Sequence, residues 1–246
     1  MQKSEEFMSV AGVVDMLQGH VHPVILSSEH FDEHYSHHGV GTALVLEHSG
    51  ELFVITAQHV LNNQGATHEE LRILLRKAPI SILFDLRSVF QDESDPDLDS
   101  DLVIFRVVKS QHAALFAAGL SSLNAEYCAQ TSDLSHADAL YVFGYPDEGR
   151  GYDYDSKELD AQMHWLRGLL APPGIPGLST IRIIGDRPRD LRGMSGSVVI
   201  ADVDDLWKFA GMVTLASEKH DLLNFIPAER ITHYLNKMVV MGMEEF

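Results

Sequence analysis

The sequence predicts an all-β fold, built as a sandwich or a pair of barrels, with one helix near the N-terminus and one at the C-terminus. Three observations predict it. Short stretches rich in β-branched and apolar residues recur along the chain, separated by turn-forming residues. Few stretches carry apolar residues at helical spacing. The second half repeats the strand-rich pattern of the first, as a chain does when it builds two similar β units.

Taken in order, residues 4–18 place Phe7, Val10, Val14 and Leu17 on one stripe, which predicts an amphipathic helix packed on the body. HPVILSS reads as a strand, and a polar, histidine-rich connection fills residues 29–38. GVGTALVLEHSGELFVITAQHV reads as two strands joined by a turn at His48-Ser49-Gly50. LRILLR, SILFDL and DLVIFRVV are further short strands, with the charged loop QDESDPDLDS between the last two. Residues 110–118 read as a short helix or a loop. ALYVFGYP is a strand ending in a Gly and Pro turn, and residues 147–161 read as a polar, solvated loop. MHWLRGLL, STIRIIG, SGSVVIADV and KFAGMVTLAS supply more short strands. NFIPAERITHYLNKMV begins as a strand and becomes a helix, with Pro227 suited to a helix's first turn.

The 246 residues and 45% hydrophobic content suit one globular domain spanning residues 1–246. No stretch approaches the roughly 18–20 apolar residues needed to cross a bilayer, and the acidic start MQKSEEF is a poor secretory signal. Membrane association is therefore not expected. Cys128 is the single cysteine, so no intrachain disulfide can form and a reducing, cytoplasmic compartment is the expectation. Its surroundings, AEYCAQT, read as a buried small side chain. With 36 acidic against 18 basic residues the net charge is −18, which repels phosphate backbones and disfavours nucleic acid as a partner.

Three short segments carry chemistry. Thr56-Ala57-Gln58-His59-Val60 ends a strand, Asp99-Ser100-Asp101-Leu102-Val103-Ile104 opens one, and Gly193-Met194-Ser195-Gly196-Ser197 is a tight turn before another. Their order and flanks resemble the trypsin-like (chymotrypsin-fold) serine peptidases, nearest to the disulfide-free bacterial HtrA-like branch, without a PDZ-like extension. FAGMVTLAS followed by NFIPAERITHYL resembles that family's closing strands and final helix.

The resemblance implies two packed six-stranded antiparallel β-barrels, about 20–125 and 135–226, followed by a C-terminal helix at 227–240. It implies a serine endopeptidase with His59, Asp101 and Ser195 as a catalytic triad, Gly193 and Ser195 forming an oxyanion hole, and no cofactor. A serine hydroxyl needs a base to take its proton, and a histidine held in one tautomer by a carboxylate suits that role. Backbone N–H groups at residues 193 and 195 suit a developing oxyanion. Asp99 and Asp97 lie on the same acidic stretch; Asp101 is favoured because it immediately precedes the apolar strand LVIFRV. Two departures stand out: Gln58 where the family most often has alanine, and Ser197 where it often has a second glycine.

By the same resemblance, Thr214, Leu215 and Ala216 belong to a strand that pairs with substrate backbone, and Arg189 stands where a primary-pocket residue lies, implying a preference for acidic side chains. The competing and favoured reading pairs Arg189 with Asp186 or Asp190 on the surface. Partners expected are a peptide or protein substrate and, in the absence of an activation cleavage site, an activating protein, as for a bacterial defence or stress effector. The rival reading is a catalytically silent peptide-binding module on the same fold. An esterase on a G-x-S-x-G elbow does not fit GMSGS. Seven histidines lie between His20 and His48, where His20 and His22 share a face if extended and His30 and His34 if helical; a solvated loop, not a metal site, is the expectation.

Overall fold

Strands pair where the side-chain period of two brings an apolar set to one face, and helices form where the period is 3.6. In the computed structural model, which describes residues 10–27, 37–75, 77–91, 99–153 and 158–244, the first half of the chain forms α1 (Val10–Leu17), β1 (Val21–Ser27), β2 (His37–His48), β3 (Glu51–Thr56), α2 (Gln58–Asn62), β4 (Leu71–Leu75), β5 (Ala78–Ser81), β6 (Phe84–Gln91), β7 (Asp99–Val107) and α3 (His112–Ala118). The second half forms β8 (Leu123–Asn124), α4 (Thr131–Leu134), β9 (Ala139–Gly144), β10 (Arg150–Asp153), β11 (Glu158–Ala161), β12 (His164–Ala171), β13 (Ser179–Ile184), β14 (Val198–Val203), β15 (Leu206–Ser217), β16 (Leu222–Pro227) and α5 (Ala228–Glu244).

The second half closes into a six-stranded barrel in the order β12-β13-β16-β15-β14-β9. The first half is a curled eight-stranded sheet, β5-β4-β1-β2-β3-β7-β6, with β8 parallel to β2; its path ends at β5 and β6 rather than joining them among the described residues. Helices α5 and α1 stand where helical periodicity predicts them, and His112–Ala118 is helix. Phe7, expected on the α1 stripe, lies outside the described residues, as do His30 and His34.

Local chemistry sets the register. Ser49 and Gly50 have φ of +51° and +75°, the left-handed pair that a two-residue type I′ hairpin needs between β2 and β3. Asp204 and Asp205 do the same between β14 and β15. Strand β9 is buried on both faces: Leu140 and Val142 point into the closed barrel with Val199, Val213 and Phe225, while Tyr141 and Phe143 join a larger core shared with β1, β2, β3, β7 and α5. That double burial explains why ALYVFG shows no polar alternation. On α5, Ala228, Ile231, Leu235 and Met238 are buried in this larger core at helical spacing, and α1 buries Val13 and Leu17 in it. One continuous core therefore welds the two sheets, and the turn carrying Ser195 meets β2 along that seam. Among the described residues no helix is long and apolar enough to cross a membrane.

Two elements differ from the sequence reading. His59 sits not on a strand end but in the first turn of α2, two residues after the extended N-cap residue Ala57. Residues 147–161, read as a loop, contain the β10–β11 hairpin, with residues 154–157 outside the described set. Its strands are mostly polar, and among the described side chains there Leu159 alone is a buried large apolar one, so no alternation marks it.

Candidate active site

The register of β3 against β7 brings the first two candidates together. Thr56 pairs with Val103, and just past the end of β3 the first turn of α2 brings His59 against Asp101. The carboxylate takes two bonds from one residue: the His59 backbone N–H donates to Oδ1 at 2.9 Å and the ring Nδ1 to Oδ2 at 2.5 Å. A carboxylate only accepts, so Nδ1 carries the proton and Nε2 is left as an acceptor. Ser195 Oγ lies 2.9 Å from that nitrogen. It also lies 3.2 Å from the carbonyl of Thr214; with one proton, the hydroxyl serves Nε2 or this carbonyl, not both. The imidazole is 32% exposed, so a second molecule can reach it. Asp99 lies two residues away on β7, paired with Gln91; its side chain, like all of Asp97, is outside the described residues.

Residues 191–197 form two tandem turns. Met194 N–H donates to Leu191 C=O at 3.1 Å and Ser197 N–H to Met194 C=O at 3.0 Å. Gly193 and Gly196 occupy the third positions with φ of +88° and +91°, while Arg192 and Ser195 do not have positive φ, which makes both turns type II. Glycine is required at these two places, since a Cβ would also meet Tyr145 O at 2.6 Å from residue 193 and Thr42 O at 1.7 Å from residue 196. Among the described residues, the N–H groups of Gly193 and Ser195 donate to no protein acceptor.

Compared with known proteins, the chain matches no family model and no curated protein.

Thr42, a residue the motifs do not mark, ties the turn to the first sheet. Its N–H donates to Ser195 C=O at 2.8 Å, its Oγ1 donates to Gly193 C=O at 2.9 Å and accepts from Tyr145 N–H at 3.0 Å, and its own carbonyl accepts from Thr56 Oγ1 at 2.7 Å. Thr42 and Thr56 are fully buried. Ser197, the departure noted above, is accommodated by Gly144: its Oγ lies 1.7 Å from where a Cβ on residue 144 would stand.

The candidate substrate strand divides in two. Thr214 is buried, whereas Leu215 and Ala216 are exposed. Residues 215–217 pair with β16 on one side, and beyond Val213 the opposite edge of β15 pairs with no strand among the described residues. Arg189 is exposed; its N–H donates to Glu148 at 3.0 Å, and among the described residues its guanidinium makes no ion pair. The expected pairing with Asp186 or Asp190 is not formed among the described residues; Asp190 pairs with Arg192 instead, at 2.5 Å. The Arg192 hydrogen bonds hold the Asp190 carboxyl below the usual range. Arg187 pairs with Asp221 at 2.8 Å, so two arginines stitch the segment 187–192 to itself and to residues 218–221.

The imidazoles of His20 and His22 face backbone carbonyls. His20 Nδ1 meets Met16 C=O at 2.7 Å, and His22, buried in β1, has Nε2 at 3.0 Å from Gly19 O and Nδ1 at 3.3 Å from Leu74 O. Among the described residues, no three His, Cys, Asp or Glu side chains are grouped as a metal site. Cys128 is half-buried beside Thr232.

Proposed function

We propose that this chain is a serine endopeptidase of the trypsin-like type, with His59 as general base and acid, Asp101 as its orienting carboxylate, Ser195 as nucleophile and the Gly193 and Ser195 N–H groups as oxyanion donors. The observation that carries the proposal is one continuous chain of hydrogen bonds from the Asp101 carboxylate through both ring nitrogens of His59 to the Ser195 hydroxyl. A lone contact of this kind is common in proteins; an oriented base with its free nitrogen on a hydroxyl, beside two unengaged N–H donors, is what acyl transfer requires. The closed barrel and the curled first sheet, with these groups at their seam, support a chymotrypsin-like pair of barrels. The single cysteine favours a reducing, cytoplasmic setting.

In this reading an extended peptide lies along the open edge of β15 at residues 214–217. Ser195 Oγ attacks the scissile carbonyl while its proton passes to His59 Nε2. The oxyanion takes the two N–H groups, each worth about 3 kcal/mol of barrier. His59 then returns the proton to the leaving amine, giving an acyl-enzyme and a free N-terminus. Water, deprotonated by the same nitrogen, hydrolyses the ester and restores the hydroxyl.

The test is labelling with a fluorophosphonate probe and cleavage of a fluorescent casein. Wild-type protein labels and cleaves; Ser195→Ala does neither while keeping its circular dichroism spectrum. Labelling that survives the substitution rejects the assignment, and wild-type protein that captures peptides without labelling identifies a silent binding module instead.

A further inference from the structure

Resting on that peptidase reading, we infer that Arg150 is a positioning residue for the oxyanion hole, acting through the strap formed by residues 145–147. A type II turn differs from type I chiefly in the sense of its central peptide, here Arg192–Gly193. In a trans peptide the carbonyl and the following N–H point in opposite directions. Whatever holds the Arg192 carbonyl therefore aims the Gly193 N–H. Asp147 N–H holds it, at 2.8 Å. The strap also presses on Gly193 itself, since a Cβ there would lie 2.7 Å from Asp147 Oδ1 and 2.9 Å from Asp147 N.

Three contacts of Arg150 keep the strap in place. Its Nη2 donates to Tyr145 C=O and to Gly41 C=O, each at 2.8 Å, and its Nη1 lies 3.5 Å from Asp147 Oδ1. The side chain is 5% exposed, so these groups are not exchanged for water. Gly41 precedes Thr42 on β2, so one guanidinium joins the first sheet to the strap behind the turn. A planar cation with several fixed donors suits this; a lysine supplies one charge and less geometry. Without it, the strap keeps the Tyr145 bond to Thr42 and the Glu148 bond to the Arg189 N–H but loses the cation that ties Tyr145 and Asp147 to Gly41. The central peptide can then turn over, which glycine at 193 permits and which directs the N–H away from substrate.

The experiment measures fluorophosphonate labelling rate and turnover of a quenched-fluorescent peptide that wild-type protein cleaves, in Arg150→Ala, Arg150→Lys and Asp147→Asn, alongside amide exchange at Asp147. Losing one oxyanion donor costs about 10²–10³ in kcat. Arg150→Ala is expected to lose about 10²-fold in kcat with KM little changed and to exchange its Asp147 amide faster. Arg150→Lys regains part of this, and added guanidinium restores labelling of Arg150→Ala but not of Ser195→Ala. If Arg150→Ala fails to fold, the isosteric Asp147→Asn carries the test, with a smaller fall in kcat at constant KM. Wild-type kcat in a folded Arg150→Ala, or a loss of kcat with Asp147 exchange unmoved, overturns the inference. Wild-type protein that neither labels nor cleaves overturns the peptidase reading and the role of Arg150 with it. Amide exchange needs no turnover and keeps that result distinct from failure of the strap.

Discussion

Replacing Thr42 by valine removes a hydroxyl while keeping the shape of the side chain, and the structure says what should follow. Thr42 Oγ1 serves two buried backbone groups at once, donating to Gly193 C=O at 2.9 Å and accepting from Tyr145 N–H at 3.0 Å. Valine can do neither, and with residue 42 fully buried no water enters in its place. Each buried group left without a partner costs about 1–3 kcal/mol, so with two such groups Thr42→Val should lose about 2–6 kcal/mol of stability. The catalytic loss should be larger than a remote packing defect gives, because the freed carbonyl belongs to Gly193. A displacement on the order of 1 Å at such a group lowers kcat by about 10²-fold. Thr42→Ser separates the hydroxyl from the methyl: it keeps both bonds and loses one buried carbon, about 1 kcal/mol. The assay pairs urea unfolding with the rate of fluorophosphonate labelling. A wild-type unfolding midpoint in Thr42→Val, or a serine variant as damaged as the valine one, would refute the reasoning.

Two further outcomes are expected. Gly144→Ala places a methyl on Ser197 Oγ and should cost about 2–3 kcal/mol by overpacking; adding Ser197→Gly removes the clash, so the double variant should unfold later than Gly144→Ala alone, and simple additivity in a double-mutant cycle would count against the contact. Burial lowers the pKa of His22 to about 4 from an ordinary 6.5, so the unfolded chain binds a proton there that the native chain refuses. Stability from this group is full above pH 6.5 and falls through the window down to pH 4, by about 3 kcal/mol in all; urea unfolding at pH 7 and pH 4.5 should show a slope that His22→Gln flattens, and an unchanged slope in that variant would exclude His22 as its source.

The three candidate residues His59, Asp101 and Ser195 stood out because each lies in a recognisable local pattern: just past a strand, near a strand start before an apolar run, and in a turn with glycines at fixed offsets. The strands of the closed barrel were legible as short apolar, β-branched runs bounded by turn residues, and α1 from the helical spacing of Val10, Val14 and Leu17. What the linear pattern could not carry was contact across distance. Thr42 reaches Gly193 over 151 positions and Arg150 reaches Gly41 over 109. Neither residue type nor spacing announces such a bond. The β10–β11 hairpin escaped because its strands are polar, and the pairing of Arg192 rather than Arg189 with Asp190 was a choice among neighbours that side-chain geometry alone decides. Residue identity thus determined which groups could do chemistry and which stretches would pair. Only folding decided how the Gly193 peptide is held and aimed, because that depends on buried donors and acceptors meeting at the seam between two sheets.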